Sequence, residues 1–177
     1  VTHWTFGAAS FSGDNSEDKE VAMGGTTFSY NLALNLETSF TGKDLLYTRL
    51  RSGNFDVDGA FSTVFGQEYA TNTDNSIDVN RLWYSFPVGD FTIVGGPMVR
   101  MDDMLPVWPS AYPSDMTYDF FTYAGAPGAY NLAMGGGAGV YYTMGDWSIS
   151  TSYLSTNANN SDPRGTDGGG FMTDAAG

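Results

Sequence analysis

From Thr27 to Phe40 the chain places Phe28, Tyr30, Leu32, Leu34, Leu36 and Phe40 at alternate positions, with Ser29, Asn31, Asn35, Glu37 and Ser39 between them. Successive side chains of a strand point to opposite faces, so this period of two predicts a long β-strand with one apolar and one polar side. Such a run is longer than the strand of about 5–6 residues usual in globular proteins. It also exceeds the roughly 9–11 tilted residues that cross a bilayer.

The same alternation, bounded by turn residues, recurs along the chain and predicts about eight strands. They fall at about Thr2–Phe11, Thr27–Phe40, Leu45–Asn54, Ile77–Phe86, Phe91–Val99, Gly137–Met144 and Trp147–Ser155, with an eighth starting in Gly170–Gly177. Tight turns at Thr41-Gly42-Lys43-Asp44, Pro87-Val88-Gly89-Asp90 and Gly145-Asp146 alternate with long polar or irregular connections, the longest being 100–134. Sorting short turns to one end and long loops to the other is the habit of outer-membrane barrels. The phase agrees between strands: Leu46, Leu50, Leu82, Tyr84, Phe86, Phe91, Ile93, Val99, Val140, Tyr142, Met144, Trp147, Ile149 and Tyr153 are predicted to face outward. Tyr47, Arg49, Arg51, Arg81, Trp83, Ser85, Thr92 and Gly139 are predicted to face inward, with Tyr141, Thr143, Ser148, Ser150 and Ser152. Aromatic residues gather beside the short turns, where an interfacial girdle belongs.

Composition changes the picture in two ways. The mean hydropathy of -0.23 is that of a water-soluble chain, yet a barrel strand averages to near neutrality because lumen-facing polar residues interleave with lipid-facing apolar ones. A formal charge of -13, from 20 acidic against 7 basic residues, excludes nucleic acid as partner, since phosphate binding needs a basic footprint. The chain has no Cys, which removes disulfides, thiolate metal sites and cysteine nucleophiles. The opening residues carry no basic and apolar secretory leader.

Four stretches carry a family resemblance: Leu36-Glu-Thr-Ser-Phe-Thr-Gly-Lys-Asp-Leu-Leu46 with Arg49-Leu-Arg-Ser-Gly-Asn54; Arg81-Leu-Trp-Tyr-Ser-Phe-Pro-Val-Gly-Asp90; Asp103-Met-Leu-Pro-Val-Trp-Pro-Ser-Ala-Tyr-Pro-Ser114; and Phe121-Thr-Tyr-Ala-Gly-Ala-Pro-Gly-Ala-Tyr130. Over most of residues 27–155 the chain resembles the major outer-membrane porins of cyanobacteria, the iron-uptake porins related to the carbohydrate-selective OprB-like porins. The resemblance implies an all-β, transmembrane antiparallel β-barrel in the outer membrane, commonly a homotrimer. It also implies a preceding periplasmic segment that binds peptidoglycan. That segment is absent here, and the chain is shorter than the family, so residues 1–177 are expected to be the N-terminal half of a single barrel domain of about sixteen strands. Backbone hydrogen bonding points the same way, because the Gly- and Ala-rich tail 170–177 is a poor closing strand and unpaired edges cannot sit in lipid.

The chemistry expected of such a protein is electrostatic filtering at a constriction, for passive diffusion of small hydrophilic solutes and ions, with inorganic iron species and sugars among the candidates. Arg49, Arg51 and Arg81 lie on the inward phase of their strands, with Glu37 on that of its own; the connection 100–134 supplies Arg100, Asp102, Asp103, Asp115 and Asp119. That connection is rich in aromatics and proline, too apolar to stand in water, and is expected to fold inward as the constriction loop with its acids facing the wall arginines. No cofactor is expected, and no metal site: His3 is the only histidine, and Asp56-x-Asp58-Gly59 lacks the Glu that a calcium loop needs twelve residues from its start, where Gln67 stands. No motif assembles a nucleophile with a base, so no enzymatic activity is expected. The alternative is a soluble β-sandwich that binds carbohydrate through its aromatics.

Overall fold

The computed structural model describes residues 1–107, 117–119, 133–161, 170–171 and the backbone of 175–176. The strands are β1 (Thr2–Gly7), β2 (Thr27–Thr38), β3 (Leu45–Gly53), β4 (Asp78–Val88), β5 (Phe91–Arg100), β6 (Met134–Met144), β7 (Trp147–Ser155) and a two-residue β8 (Ala175–Ala176). They form one sheet in sequence order, every strand hydrogen-bonded to its chain neighbours, and each pairing with a described register is antiparallel. The fold is therefore all-β, a meander of seven full strands and a stub among the described residues. Among the described residues β1 and β8 lie at opposite ends of the strand order and the sheet is not closed.

The hairpins follow from turn chemistry. Gly89 and Gly145 have φ of 61° and 58°, and they open two-residue turns between the closing pairs Val88↔Phe91 and Met144↔Trp147. A positive φ at the first central residue matches strand twist and is costly for any residue but glycine.

Several boundaries differ from the sequence expectation, each for a local reason. Strand β1 ends at Gly7 rather than Phe11, and the polar connection after it contains a helix α1 (Ser16–Met23) with Glu17 and Asp18 in its first turn, where acids suit the helix dipole. Strand β4 runs on through Pro87 and Val88. Arg100 is the last residue of β5 and Met134 the first of β6, so the longest connection is 101–133. The expected eighth strand shrinks to Ala175–Ala176.

Val99 corrects the assignment of faces. It was expected outward with Phe91 and Ile93, but it is fully buried. Gly96 pairs with Gly137 and Val99 with Gly135, so Pro97 and Met98 stand opposite Gly136 alone. This bulge adds one residue and reverses the alternation. Proline, which has no N–H for the ladder, is tolerated at such a place.

Two compact units divide the chain by contacts, and each is described by itself. The first comprises Val1–Leu34, Leu50–Asp78 and the described part of Tyr112–Gly125; the second comprises Asn35–Arg49, Val79–Ala111 and Ala126–Gly177. In the second, Val94, Val99 and Leu154 form a core with Met101 and Met104 from a 3-10 turn (Met101–Met104) that folds back over the sheet, flanked by Trp83 and Tyr141. Glycine lets this turn come close: a Cβ on Gly139 would lie 3.0 Å from the Met104 Cβ. In the first, the connection 54–77 covers one face of β1. Phe61 sits where a Gly7 Cβ would be 3.0 Å away, Gln67 meets Thr5, and Tyr69 stacks on His3 at 4.1 Å.

On β2 the covered and exposed faces are the reverse of those in a water-soluble sheet. On β2, Ser29, Asn31 and Ala33 are covered, whereas Phe28, Leu32, Leu34 and Leu36 are exposed. Asn31 is 1% exposed and Leu34 51%. Exposed apolar side chains continue on other strands with Trp4, Phe6, Phe91, Met144, Trp147 and Ile149.

Candidate functional site

The covered face of the second unit carries a compact polar cluster. Arg81, on β4, is 3% exposed, and its Nε stands 2.8 Å from Asp103 Oδ2 in the 3-10 turn. The same Asp103 oxygen accepts the Arg100 backbone N–H at 2.8 Å. Arg100 closes the cluster by pairing its guanidinium with Asp102 in two hydrogen bonds. Two arginines and two aspartates therefore neutralise one another where the longest connection begins. Burial pushes the Asp103 carboxyl above its ordinary value, and the Arg81 guanidinium and the Arg100 N–H hold that rise back.

Beside this cluster Tyr47 of β3 stacks on Trp83 of β4, ring centres 4.9 Å apart. Arg49 follows Tyr47 on the same phase of β3, half-buried. Its Nε and the Trp83 Nε1 are buried and have no hydrogen-bond partner among the described residues. Arg49 also acts on both Tyr47 and Arg81 through its charge. These two buried N–H donors make this the least satisfied polar part of the face among the described residues.

The first unit holds the remaining described candidates. Arg51 donates its Nε–H to Asn31 Oδ1 at 3.1 Å, which explains how Asn31 can be buried at little cost. Asp119 is exposed, and its N–H donates to Gly66 O at 2.7 Å. Glu37, in the second unit, is exposed near the end of β2. Asp115 lies outside the described residues. The structure thus unites Arg81, Arg100, Asp102 and Asp103, with Arg49 near them.

Some covered-face residues were not foreseen. Thr5, Asn31, Gln67 and Tyr69 all line the covered face of the first unit, and the connection that supplies Gln67 and Tyr69 also carries Phe55, Phe61 and Phe65. The sequence carries a signal for this, because a connection rich in aromatics, 55–75 no less than 100–134, is too apolar to stand in water and packs on a neighbouring face. Asp56 behaves as a turn residue, its Oδ1 accepting the Asp58 N–H at 3.2 Å. Among the described residues no three His, Cys, Asp or Glu gather in a metal-binding group.

No family model matches the chain, and no solved structure matches it. It is similar to an uncharacterized protein of Synechocystis sp., sll0772, at 34% identity over 157 residues, which is 84% of this chain and 28% of that protein. The chain thus spans little more than a quarter of the relative's length.

Proposed function

We propose that this chain forms part of the wall of an outer-membrane porin, an antiparallel β-barrel through which small hydrophilic solutes and ions diffuse passively. One observation carries the reading: β2 covers its polar side chains and exposes its apolar ones, as Asn31 and Leu34 show. In water that arrangement forfeits the stabilisation of about 25 cal/mol per Å2 that apolar burial supplies. In a bilayer it is the favourable one.

The strand dimensions support the same reading. The 12 residues of β2 and 11 of β4 suffice for the roughly 9–11 that a tilted spanning strand needs. On β2 the exposed leucines are bracketed by aromatic groups. Phe28 meets Trp4 and Phe6 edge-on at 6.5 and 5.9 Å; past the other end of the strand, Phe40 meets Tyr84 at 6.3 Å. Such paired belts sit where headgroups meet hydrocarbon. The open strand order leaves backbone groups unpaired at the sheet edge, and in lipid these require further strands. A barrel of about sixteen strands, assembled as a homotrimer, is the form the family resemblance supplies.

The Arg81–Asp103 pair, with Arg49 beside it, is the proposed polar wall lining, and the passage is a conduit without a catalytic step or cofactor. Reconstituting the full-length protein in planar lipid bilayers tests the proposal. Discrete, ohmic conductance steps and recovery with the outer-membrane fraction are expected. A detergent-free, folded, aqueous monomer that carries no current overturns it.

A further inference from the structure

We infer that Gln67 is a positioning residue: it clasps residues 117–119 of the longest connection to the wall strand β1 and so fixes that short segment against the covered face of β1, an inference that rests on the pore reading above. Three separate contacts meet at this residue. Its side-chain Oε1 accepts the Thr5 hydroxyl at 3.1 Å, and Thr5 is a buried residue of β1. Its own N–H donates to Phe61 O at 3.0 Å, and its carbonyl accepts the Ala70 N–H at 2.9 Å, which folds the connection 54–77 tightly around it. Its backbone also forms an antiparallel bridge with Tyr118. That bridge consists of Glu68 N–H donating to Thr117 O at 3.3 Å and Asp119 N–H donating to Gly66 O at 2.7 Å.

The neighbours on β1 show that the contact is a seam. His3, Thr5 and Gly7 share one face of the strand, and each meets one residue of the connection: Tyr69, Gln67 and Phe61 in turn. The connection therefore runs along β1 as a liner, and Gln67 is where the liner grips the second connection. A backbone bridge of two hydrogen bonds is weak alone. The seam with β1 holds one side of the bridge still, so that Tyr118 inherits the rigidity of the wall.

The pairing geometry gives a direct probe. Residues 67 and 118 form the pair without mutual hydrogen bonds, since the bonds run between their neighbours, and such pairs have Cα atoms about 4.5 Å apart. That lies within the disulfide range of about 4.4–6.8 Å, and the chain has no cysteine to interfere. The experiment uses the full-length protein carrying Gln67→Cys with Tyr118→Cys, together with the single variants Gln67→Ala, Gln67→Glu and Thr5→Val, all in planar bilayers. The double-cysteine protein is expected to cross-link on mild oxidation and to keep the parent conductance with less open-channel noise. Gln67→Ala is expected at least to double that noise with no loss of melting temperature, and Gln67→Glu, which keeps the acceptor oxygen, to restore the quiet state. Adding Thr5→Val to Gln67→Ala should change nothing further, because both break one contact. Conductance without any cross-link overturns the clasp and keeps the pore. Cross-linking without conductance overturns the pore and with it the positioning role. Unchanged noise in Gln67→Ala overturns the role outright.

Discussion

The Tyr84 hydroxyl donates to Asp44 Oδ2 at 2.5 Å, joining β4 to the turn between β2 and β3. Asp44 also accepts from the Ser39 hydroxyl at 2.8 Å, the Thr41 hydroxyl at 2.6 Å, and the Phe40 and Thr41 N–H groups at 3.1 and 2.7 Å. These bonds, those of Thr41 and Tyr84 foremost, hold its carboxyl well below the usual carboxylate range, against the opposing effect of burial. A depressed carboxylate contributes stability above its unfolded value of about 3.9, and loses it as pH falls below that value. Amide protection at Phe40 and Thr41 should therefore decline on acidification below about pH 4. Asp44→Asn, which cannot titrate, should show lower protection at neutral pH and little acid dependence, as read by hydrogen exchange.

Exposed leucine beside exposed asparagine on one strand gives a test of the faces. Leu34 and Asn35 are neighbours on β2 and point to opposite sides. An arginine on the lipid side near the midplane costs about 2–4 kcal/mol, whereas one on the wet side costs little. Leu34→Arg should abolish heat-resistant insertion into lipid vesicles, and Asn35→Arg should insert normally. Equal behaviour of the two would show that the polar and apolar sides are not wall and lipid sides.

Much of the sheet could be read from alternation and turn residues, because both are local. Strand β7 and the Gly145-Asp146 turn stand where the pattern placed them. What escaped depends on residues distant in the chain or on single insertions. The burial of Val99 follows from one extra residue near Pro97, which a period of two cannot reveal. Helix α1 has no buried residue, so no periodic signal marks it. The inward phase of Arg81 was legible, but its partner Asp103 lies across a bulged strand and a 3-10 turn. Thr5 and Gln67 are 62 residues apart and neither belongs to a recognisable motif.

Charge pairing separates the arginines into two kinds. Arg81 is buried against Asp103, so its field is largely cancelled locally, while the Arg49 Nε has no hydrogen-bond partner among the described residues. Arg49→Gln should shift the reversal potential toward cations with a small change in conductance. Arg81→Gln should shift it less but destabilise more, because it leaves the half-buried Asp103 carboxylate with the Arg100 N–H but without its guanidinium partner. Bilayer reversal potentials in a salt gradient, compared with thermal unfolding of the same variants, check both orders. A larger shift from Arg81→Gln would transfer the filter to the paired cluster.

The glycine under Met104 tests how the longest connection is seated. A Cβ at Gly139 would stand 3.0 Å from the Met104 Cβ and 3.1 Å from the Ser152 Cβ, closer than most packed side chains approach, and neither Cβ is a flexible end that could move aside. Overfilling of this kind costs about 1–3 kcal/mol. The strand is held by its ladders to β5 and β7, whereas the 3-10 turn rests on the Arg81–Asp103 pair and a few apolar contacts. The turn should therefore be the part that yields. Gly139→Val is expected to leave the protein's folded gel mobility intact while making the connection beginning at Met101 more susceptible to limited proteolysis. It should also weaken the difference in reversal potential between Arg81→Gln and its parent, since a displaced Asp103 no longer faces the arginine. Loss of the folded band together with unchanged cleavage of that connection would mean that the glycine serves the sheet rather than the seat of the turn.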